Sequence, residues 1–436
     1  MIMSNSQQDV ATYLATSGKL AWEVPGLAPG TTLRPIAKVG IIGAGTMGGG
    51  IAMNFATAGY PVVMVETKQE ALDRGLGVVR GNYQRSADKG RFPQEEVEAR
   101  MGRLTGTLNF DDLADCDLVI EAVFENMDIK KEIFGNLDRV VKQGAILATN
   151  TSALDIDEIA AATSRPQDVI GLHFFSPANV MKLLEIVRAD HTADDVVATS
   201  MDLAQKINKI ATLVGVCPGF VGNRILFARQ AQANKLLYKG VMPWDVDAAI
   251  NAFGFRMGPY QMSDLAGLDI GWSKGAKTQN PIRDALCELD RRGQKTKAGY
   301  YDYDESRRPT PSDVTAKIVR EITGAEASTM SQDEIIETCI FPMINEAVKI
   351  LEENKAQRPS DIDVVWINGY GWPQEKGGPM FYGDMVGAKA VLARMEKLGA
   401  EDPAFAPAET LKKLAAEGGR FTDLDLGGLK TKATKA

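Results

Sequence analysis

The sequence predicts a doubly wound α/β domain followed by an all-helical second half built as two tandem copies. Three observations carry this. Between Ile36 and about Val216, short β-rich apolar runs (KVGII, PVVMVE, LVIEAV, AILATN, VIGLHF, LLEIV) alternate with segments long enough for crossovers, which implies parallel βαβ units. A glycine turn, GAGTMG, follows the first run and opens a helical pattern. Beyond CPGF at Cys217 no clear strand run follows, and apolar residues recur at helical spacing, as in NRILFARQAQANKLLYKG and TCIFPMINEAVKILEE.

Taken in order, residues 1–35 read as a short helix around Val10 to Ser17 and a Pro/Gly-rich linker, VPGLAPGTTLRP. Residues 36–216 form the α/β domain. Within it NFDDLADCD (Asn109 to Asp117) reads as a turn and short helix delivering LVIEAV as a central strand, whose tip is where doubly wound sheets carry ligands. Residues 217–310 form the first helical domain and 311–436 the second, with a tail. The two share a pattern: PWDVDAAINAFGFRMGPYQMSDLAG (Pro243 to Gly267) and PSDIDVVWINGYGWPQEKGGPMFYGDMVG (Pro359 to Gly387) both show P-x-D-x-D, an aromatic-glycine run, a Gly-Pro and D-x-x-G. YYDYDESRRPTPSD, between the copies, reads as an inter-domain linker.

A chain of 436 residues is too long for one compact domain. Its 44% hydrophobic and 24% charged content excludes disordered, collagenous and disulfide-scaffold classes. A net charge of −8 with scattered Lys and Arg argues against duplex nucleic acid or an anionic membrane as the main partner. Cys116, Cys217, Cys287 and Cys339 lie far apart, with no CxxC pair and only 2 histidines, so neither a disulfide framework nor a metal site is expected. The thiols should be buried and reduced. The start, MIMSNSQQDVATYL, shows no signal-peptide pattern, no run approaches the roughly 20 apolar residues of a membrane span, and KTKATKA is not a peroxisomal tripeptide signal. These features predict a cytoplasmic location.

The glycine turn has the context of a dinucleotide site. Gly43 permits the tight turn, Gly45 lets the backbone approach a pyrophosphate at the helix N-terminus, and Gly48 allows close helix-to-strand packing. The next strand, PVVMVE, ends in Glu66, placed to accept hydrogen bonds from the adenosine ribose diol, which favours NAD. Lys68 beside it leaves NADP open. This is a Rossmann-like arrangement.

Three further segments carry polar chemistry. In HFFSPANVMKLLE, His173 is the side chain suited to exchange a proton near neutrality, and Glu185 can bond its other ring nitrogen; a satisfied core histidine is the alternative. His191, in the polar stretch ADHTADD, reads as a solvated surface residue. In ATNTS, Asn150 and Ser152 stand at another strand tip, and Ser152 either binds a substrate hydroxyl or caps the helix of DIDEIAAA. In PGFVGNR, Asn223 either reaches a substrate carbonyl or caps the next helix.

GAGTMGGGIA, EAVFEN, NTSALDI, HFFSPANVMKLLEIV and PGFVGNR, in this order, resemble the L-3-hydroxyacyl-CoA dehydrogenase family. The resemblance covers residues 36 to about 300 and extends to about 390 through the duplicated helical domain, as in the dehydrogenase part of bifunctional enoyl-CoA hydratase/3-hydroxyacyl-CoA dehydrogenases. Residues 1–35 resemble the linker of those enzymes, and the hydratase part is not in the sequence. The resemblance implies a Rossmann-like NAD-binding domain followed by two tandem helical C-terminal domains. It implies NAD-dependent oxidation of (S)-3-hydroxyacyl-CoA to 3-oxoacyl-CoA, as in fatty-acid β-oxidation. His173 is then the general base and Glu185 its support, Ser152 bonds the reacting oxygen and Asn223 holds the substrate in register. For the cofactor it points to Gly43, Gly45, Met47, Gly48, Glu66, Val123, Glu125, Lys130, Asn150 and Ser176, the last standing where many members carry Asn. Tyr382 becomes a substrate contact. A dehydrogenase of another 3-hydroxy acid, or a non-catalytic NAD-binding module, is the alternative. The duplicated domain implies a monomer, and a separate enoyl-CoA hydratase is a candidate partner.

Overall fold

Each of those apolar runs becomes a buried strand of a single sheet in the computed structural model, which describes residues 3–28 and 30–429. The strands are β1 (Val39–Ile42), β2 (Val62–Val65), β3 (Leu104–Thr107), β4 (Leu118–Glu121), β5 (Ile146–Thr149), β6 (Val169–Phe174), β7 (Leu183–Arg188) and β8 (Ile210–Gly215). They lie in the order β3-β2-β1-β4-β5-β6-β7-β8, with β4 central as its sequence context predicted. Two strands escaped the sequence reading. β3 (LTGT) is an edge strand with little apolar character, and β8 follows the preceding helix after only three residues, Ile207 to Lys209, with Asn208 left-handed at φ 58°.

The expectation of parallel units throughout is corrected at one pair: β6 and β7 run antiparallel. Their connection, residues 175–182, is too short for the dozen or more residues a parallel crossover requires. This reversal builds the site described below.

Helices α1 (Met3–Leu20), α2 (Thr46–Thr57), α3 (Gln69–Asp88), α4 (Glu95–Met101), α5 (Met127–Val140), α6 (Ile156–Ala160) and α7 (Asp194–Lys206) accompany the sheet. The helical half holds α8 (Gly222–Leu237), α9 (Pro243–Phe253), α10 (Pro259–Ala266), α11 (Pro281–Glu288), α12 (Asp313–Thr323), α13 (Gln332–Glu352), α14 (Pro359–Gly369), α15 (Pro379–Val386), α16 (Ala388–Glu401) and α17 (Glu409–Glu417). Proline opens α9, α10, α14 and α15, at the position where a helix needs no N–H and a preset φ helps.

The described residues fall into two compact units. The first contains those up to Arg224, Ile350–Tyr370 and those from Thr422 onward; the second contains Ile225–Lys349 and Gly371–Phe421. In the first, the core gathers Ile41, Ile51, Phe55, Leu118, Ile120, Leu172, Phe174 and Val197. Helix α1 is longer than the stretch read from the sequence and packs along α14, where the Tyr13 hydroxyl donates to Asp363 Oδ2 at 2.7 Å. Arg34, in the presumed linker, is tied to Asp168 and Asp195.

In the second unit, the segment read as a linker is instead a hairpin. β9 (Tyr301–Tyr303) pairs antiparallel with β10 (Pro309–Pro311), so the half is not wholly helical. The tyrosines explain it: Tyr301 and Tyr303 are buried, and their hydroxyls donate to Asp247 Oδ2 and Asp264 Oδ2, both at 2.8 Å. Asp264 also accepts from the Tyr300 N–H at 2.9 Å, and this backbone contact recurs in the second copy, where its counterpart Asp384 accepts from the Phe421 N–H at 2.5 Å.

Candidate active site

The glycine turn leaves β1 at Gly43, whose φ of 100° only glycine adopts freely. A Cβ on Gly48 would lie 1.9 Å from the Gly43 carbonyl oxygen, so helix and turn touch without room for a methyl. At Gly45 the reverse holds: a Cβ would meet nothing within 4 Å, and no side chain caps α2. Backbone N–H groups therefore face an open cradle, which fits the pyrophosphate of a dinucleotide. Gly45, Thr46, Glu66, Lys68, Phe124 and Pro177 line a cavity of about 740 Å³ there. Met47 turns inward against the core.

Glu66 is fixed at the end of β2. Its Oε2 accepts from the Ala44 N–H at 3.0 Å and its Oε1 from the Thr67 N–H at 2.7 Å. Burial pulls this carboxyl upward, but those N–H groups, the Thr67 hydroxyl and Arg74 together hold it below the usual carboxylate value. An anionic acceptor thus lines the cavity beside two cations, Lys68 and Arg74.

The antiparallel turn-back places His173 directly opposite Glu185 in register. Nδ1 lies 2.7 Å from Glu185 Oε2, and the other carboxylate oxygen accepts from the Gly222 N–H at 2.9 Å. A carboxylate bonded to Nδ1 leaves Nε2 as the nitrogen with a free lone pair. The ring is 5% exposed and packs against Phe175 and Phe220, with centroids at 4.3 and 5.6 Å. This pair can take up a proton and hold the imidazolium. His191, by contrast, is exposed.

The strand tips are tied together by carboxylates. Glu125 Oε1 accepts from Thr151 Oγ1 at 2.7 Å, the Ser152 N–H at 2.8 Å and Ser152 Oγ at 3.2 Å. Burial raises that carboxyl, and the Thr151 hydroxyl, the Ser152 N–H and Lys130 more than offset it. Asn150 Oδ1 accepts from the Phe174 N–H at 2.9 Å, joining β5 to β6. Asp155, not Ser152, caps α6, so the capping alternative for Ser152 is set aside. Asn223 Nδ2 donates to the Ser152 carbonyl at 3.4 Å, which brings Asn223 to the same strand tips.

Four more of the residues named from the resemblance have these surroundings. Lys130 is 1% exposed; its ammonium donates to Glu121 at 2.8 and 2.9 Å and lies 3.4 Å from Glu125 Oε2, so it braces both carboxylates at the end of β4. Val123 packs beside Gly43 and donates its N–H to Glu121 Oε1 at 2.8 Å, while exposed Ser176 bonds none of these side chains. Tyr382 belongs to the second unit, half-buried in an aromatic cluster with Phe253 and Trp372. Sequence reasoning missed Glu121, whose role is visible only once Lys130, Thr149 and Val123 converge on it, and Tyr370, whose hydroxyl donates to Asn223 Oδ1 at 2.8 Å. The only signal for Tyr370 was its place in the repeated aromatic-glycine run.

All four cysteines are buried and free. Among the described residues, no cluster of His, Cys, Asp or Glu could hold a metal ion, and no helix is long and apolar enough to cross a membrane.

Residues 38–217 match the model of the 3-hydroxyacyl-CoA dehydrogenase NAD binding domain, and residues 219–303 and 335–423 each match that of the C-terminal domain of the same family. The chain is 44% identical to a peroxisomal bifunctional enzyme of Cavia porcellus, over 93% of its own length and 60% of the relative's. The Homo sapiens counterpart is 43% identical over 91% and 59%. The chain thus spans about 60% of the length of these relatives. Among solved structures, it resembles the 3-hydroxybutyryl-CoA dehydrogenase of Escherichia coli K12 (TM-score 0.77, 26% identity, 88% of this chain and 99% of that one). It also resembles the dehydrogenase part of multifunctional enzyme 1 from C. elegans (TM-score 0.66, 32% identity, 92% and 96%).

Proposed function

The chain belongs to the 3-hydroxyacyl-CoA dehydrogenase family, and from that membership we propose that it oxidises the 3-hydroxyl of (S)-3-hydroxyacyl-CoA thioesters to the 3-oxo compound. The observation that carries this reading is the 2.7 Å bond between His173 Nδ1 and Glu185 Oε2. A buried carboxylate on Nδ1 orients the imidazole and stabilises its charged form, so Nε2 serves as the base for the 3-hydroxyl proton.

The cradle above Gly45 and the Glu66 carboxylate would hold NAD, which supplies the hydride acceptor when bound. Ser152 Oγ gives its own proton to Glu125, so its lone pairs face a substrate hydroxyl as acceptors. Asn223 Nδ2 presents an N–H to the thioester carbonyl. Together they align the C3 hydroxyl with the base, a positioning contribution to the barrier.

The test is NADH formation from short, medium and long (S)-3-hydroxyacyl-CoAs, with the R isomers, free 3-hydroxy acids and His173→Ala as controls. Turnover confined to S thioesters and lost in the variant supports the reading. Turnover of free acids alone would point to another 3-hydroxy acid, and NAD binding without any turnover to a non-catalytic module.

The duplicated helical domain supports a monomer, which sedimentation would check, and a separate enoyl-CoA hydratase is the partner whose product this site would consume, testable by co-purification. A reduced compartment suits four buried free cysteines. The cytoplasmic location read from the sequence stands beside the peroxisomal one in the relatives' names, and imaging of the tagged chain separates them.

A further inference from the structure

We propose that Tyr370, at the end of α14 in the second helical repeat, is a positioning residue that fixes the side-chain amide of Asn223 with an N–H toward the substrate carbonyl. The proposal rests on the reading above that Asn223 holds the substrate.

An asparagine amide can turn over, exchanging its oxygen and nitrogen, unless its partners tell them apart. Here they do. The Ser152 carbonyl lies 3.4 Å from one end of the Asn223 amide, and a carbonyl oxygen can only accept, so that end must be Nδ2. The opposite end is then Oδ1, and the Tyr370 hydroxyl, 2.8 Å away, must donate to it. The Ser152 contact is long and takes one of the two Nδ2 hydrogens. The shorter Tyr370 bond therefore supplies most of the orientation, and the second Nδ2 hydrogen is left for a ligand.

The hydroxyl itself is well placed to do this. Trp366 stacks on the Tyr370 ring at 4.5 Å and 23°, and Phe175 meets it edge-on at 5.4 Å. A Cβ on Gly222 would come within 2.4 Å of the ring, so the tyrosine lies directly against the backbone that precedes Asn223. Phe175 also packs on His173, which puts amide and base against one aromatic wall. In the first copy of the repeat the matching aromatic is Phe253, which has no hydroxyl to offer. The second copy thus contributes a polar group to the site that the first copy lacks.

The experiment is steady-state NADH formation by the full chain as wild type, Tyr370→Phe, Asn223→Ala and the double variant, with Trp366→Phe as control. Y370F removes one oxygen and keeps the ring contacts. It is expected to raise KM for the thioester and lower kcat/KM by about five- to tenfold, the size of one neutral hydrogen bond, with KM for NAD unchanged. In N223A the hydroxyl has nothing left to orient, so the double variant should be no worse than N223A alone. W366F disturbs the stacking and leaves the hydroxyl, and should lower thermal stability without reproducing the KM change. Wild-type kinetics in Y370F, losses that multiply in the double variant, or a W366F that copies Y370F would each overturn the proposal while leaving the dehydrogenase reading intact. A wild-type chain that turns over no thioester would overturn that reading, and this proposal with it.

Discussion

His173 and Glu185 face each other across β6 and β7, the one antiparallel pair in an otherwise parallel sheet. Facing residues on an antiparallel ladder have side chains on the same side and within contact reach. The turn-back at residues 175–182 therefore does chemical work: it brings a carboxylate to the histidine from the next strand. Because Glu185 is wholly buried and also accepts from Gly222, its position does not depend on solvent.

Replacing Glu185 by Gln keeps the size and one acceptor but removes the charge that steadies the imidazolium. We expect kcat to fall by about 10²- to 10⁴-fold, the range of a general base, with NAD affinity unchanged in a calorimetric titration. Loss of NAD binding together with turnover would mean that the pair maintains the fold and has no special part in proton transfer.

Lys130 and Glu121 give a prediction about stability. Both are buried, and Glu121 also accepts from Val123 N–H and Thr149 Oγ1. Lys130→Met strands the carboxylate without its cation and should cost about 3–5 kcal/mol in urea denaturation, whereas a Glu121→Leu/Lys130→Met pair should recover much of that. A variant K130M as stable as the wild type would show that the pair is dispensable.

The strands of the first unit were legible because continuous apolar runs of that length, separated by crossovers, have few other ways to be buried. The direction of β7 was less visible, since apolar pattern carries no polarity and only the length of residues 175–182 decides it. The hairpin at Tyr301–Tyr303 read as a linker for a related reason: its tyrosines look like loop residues until Asp247 and Asp264 accept their hydroxyls. The glycine turn, Glu66 and the His173–Glu185 pair were readable at strand ends. Glu121 and Tyr370 were not: Glu121 acts only through Lys130, Val123 and Thr149 converging on it, and Tyr370 meets Asn223 from 147 residues away. Lys130 was named only through the resemblance, and its burial against Glu121 is a tertiary fact.

Those two aspartates also predict a pH dependence. Burial, acting against the bonds from Tyr260, Tyr300, Tyr301 and Gln261, pushes both Asp247 and Asp264 up to about 6 from an ordinary 3.8. The folded state therefore binds more protons than the unfolded chain between those values, and each group's contribution to stability falls as pH rises from about 4 to about 6. Asp264→Asn removes one such group. The stability gap between wild type and variant should narrow by about 2 kcal/mol over that window, measured by urea denaturation at fixed ionic strength. A gap that stays constant, or widens, would refute the assignment.

Gly45 and Gly48 separate folding from cofactor binding. An alanine at Gly48 would force its methyl to 1.9 Å from the backbone oxygen of Gly43, and backbone cannot step aside as a flexible side chain can. Gly48→Ala should lower the melting temperature and NAD affinity together. At Gly45 the φ of −72° suits any residue and a Cβ meets nothing within 4 Å, so Gly45→Ala should change stability by no more than about 1 kcal/mol. Its methyl would nonetheless stand in the cradle at the start of α2, where a pyrophosphate must approach the backbone closely. We expect NAD affinity to fall by about tenfold or more in a calorimetric titration while thermal unfolding stays near wild type. Unchanged NAD binding in G45A would place the dinucleotide elsewhere, because the methyl would enter the space that a pyrophosphate on this turn must fill.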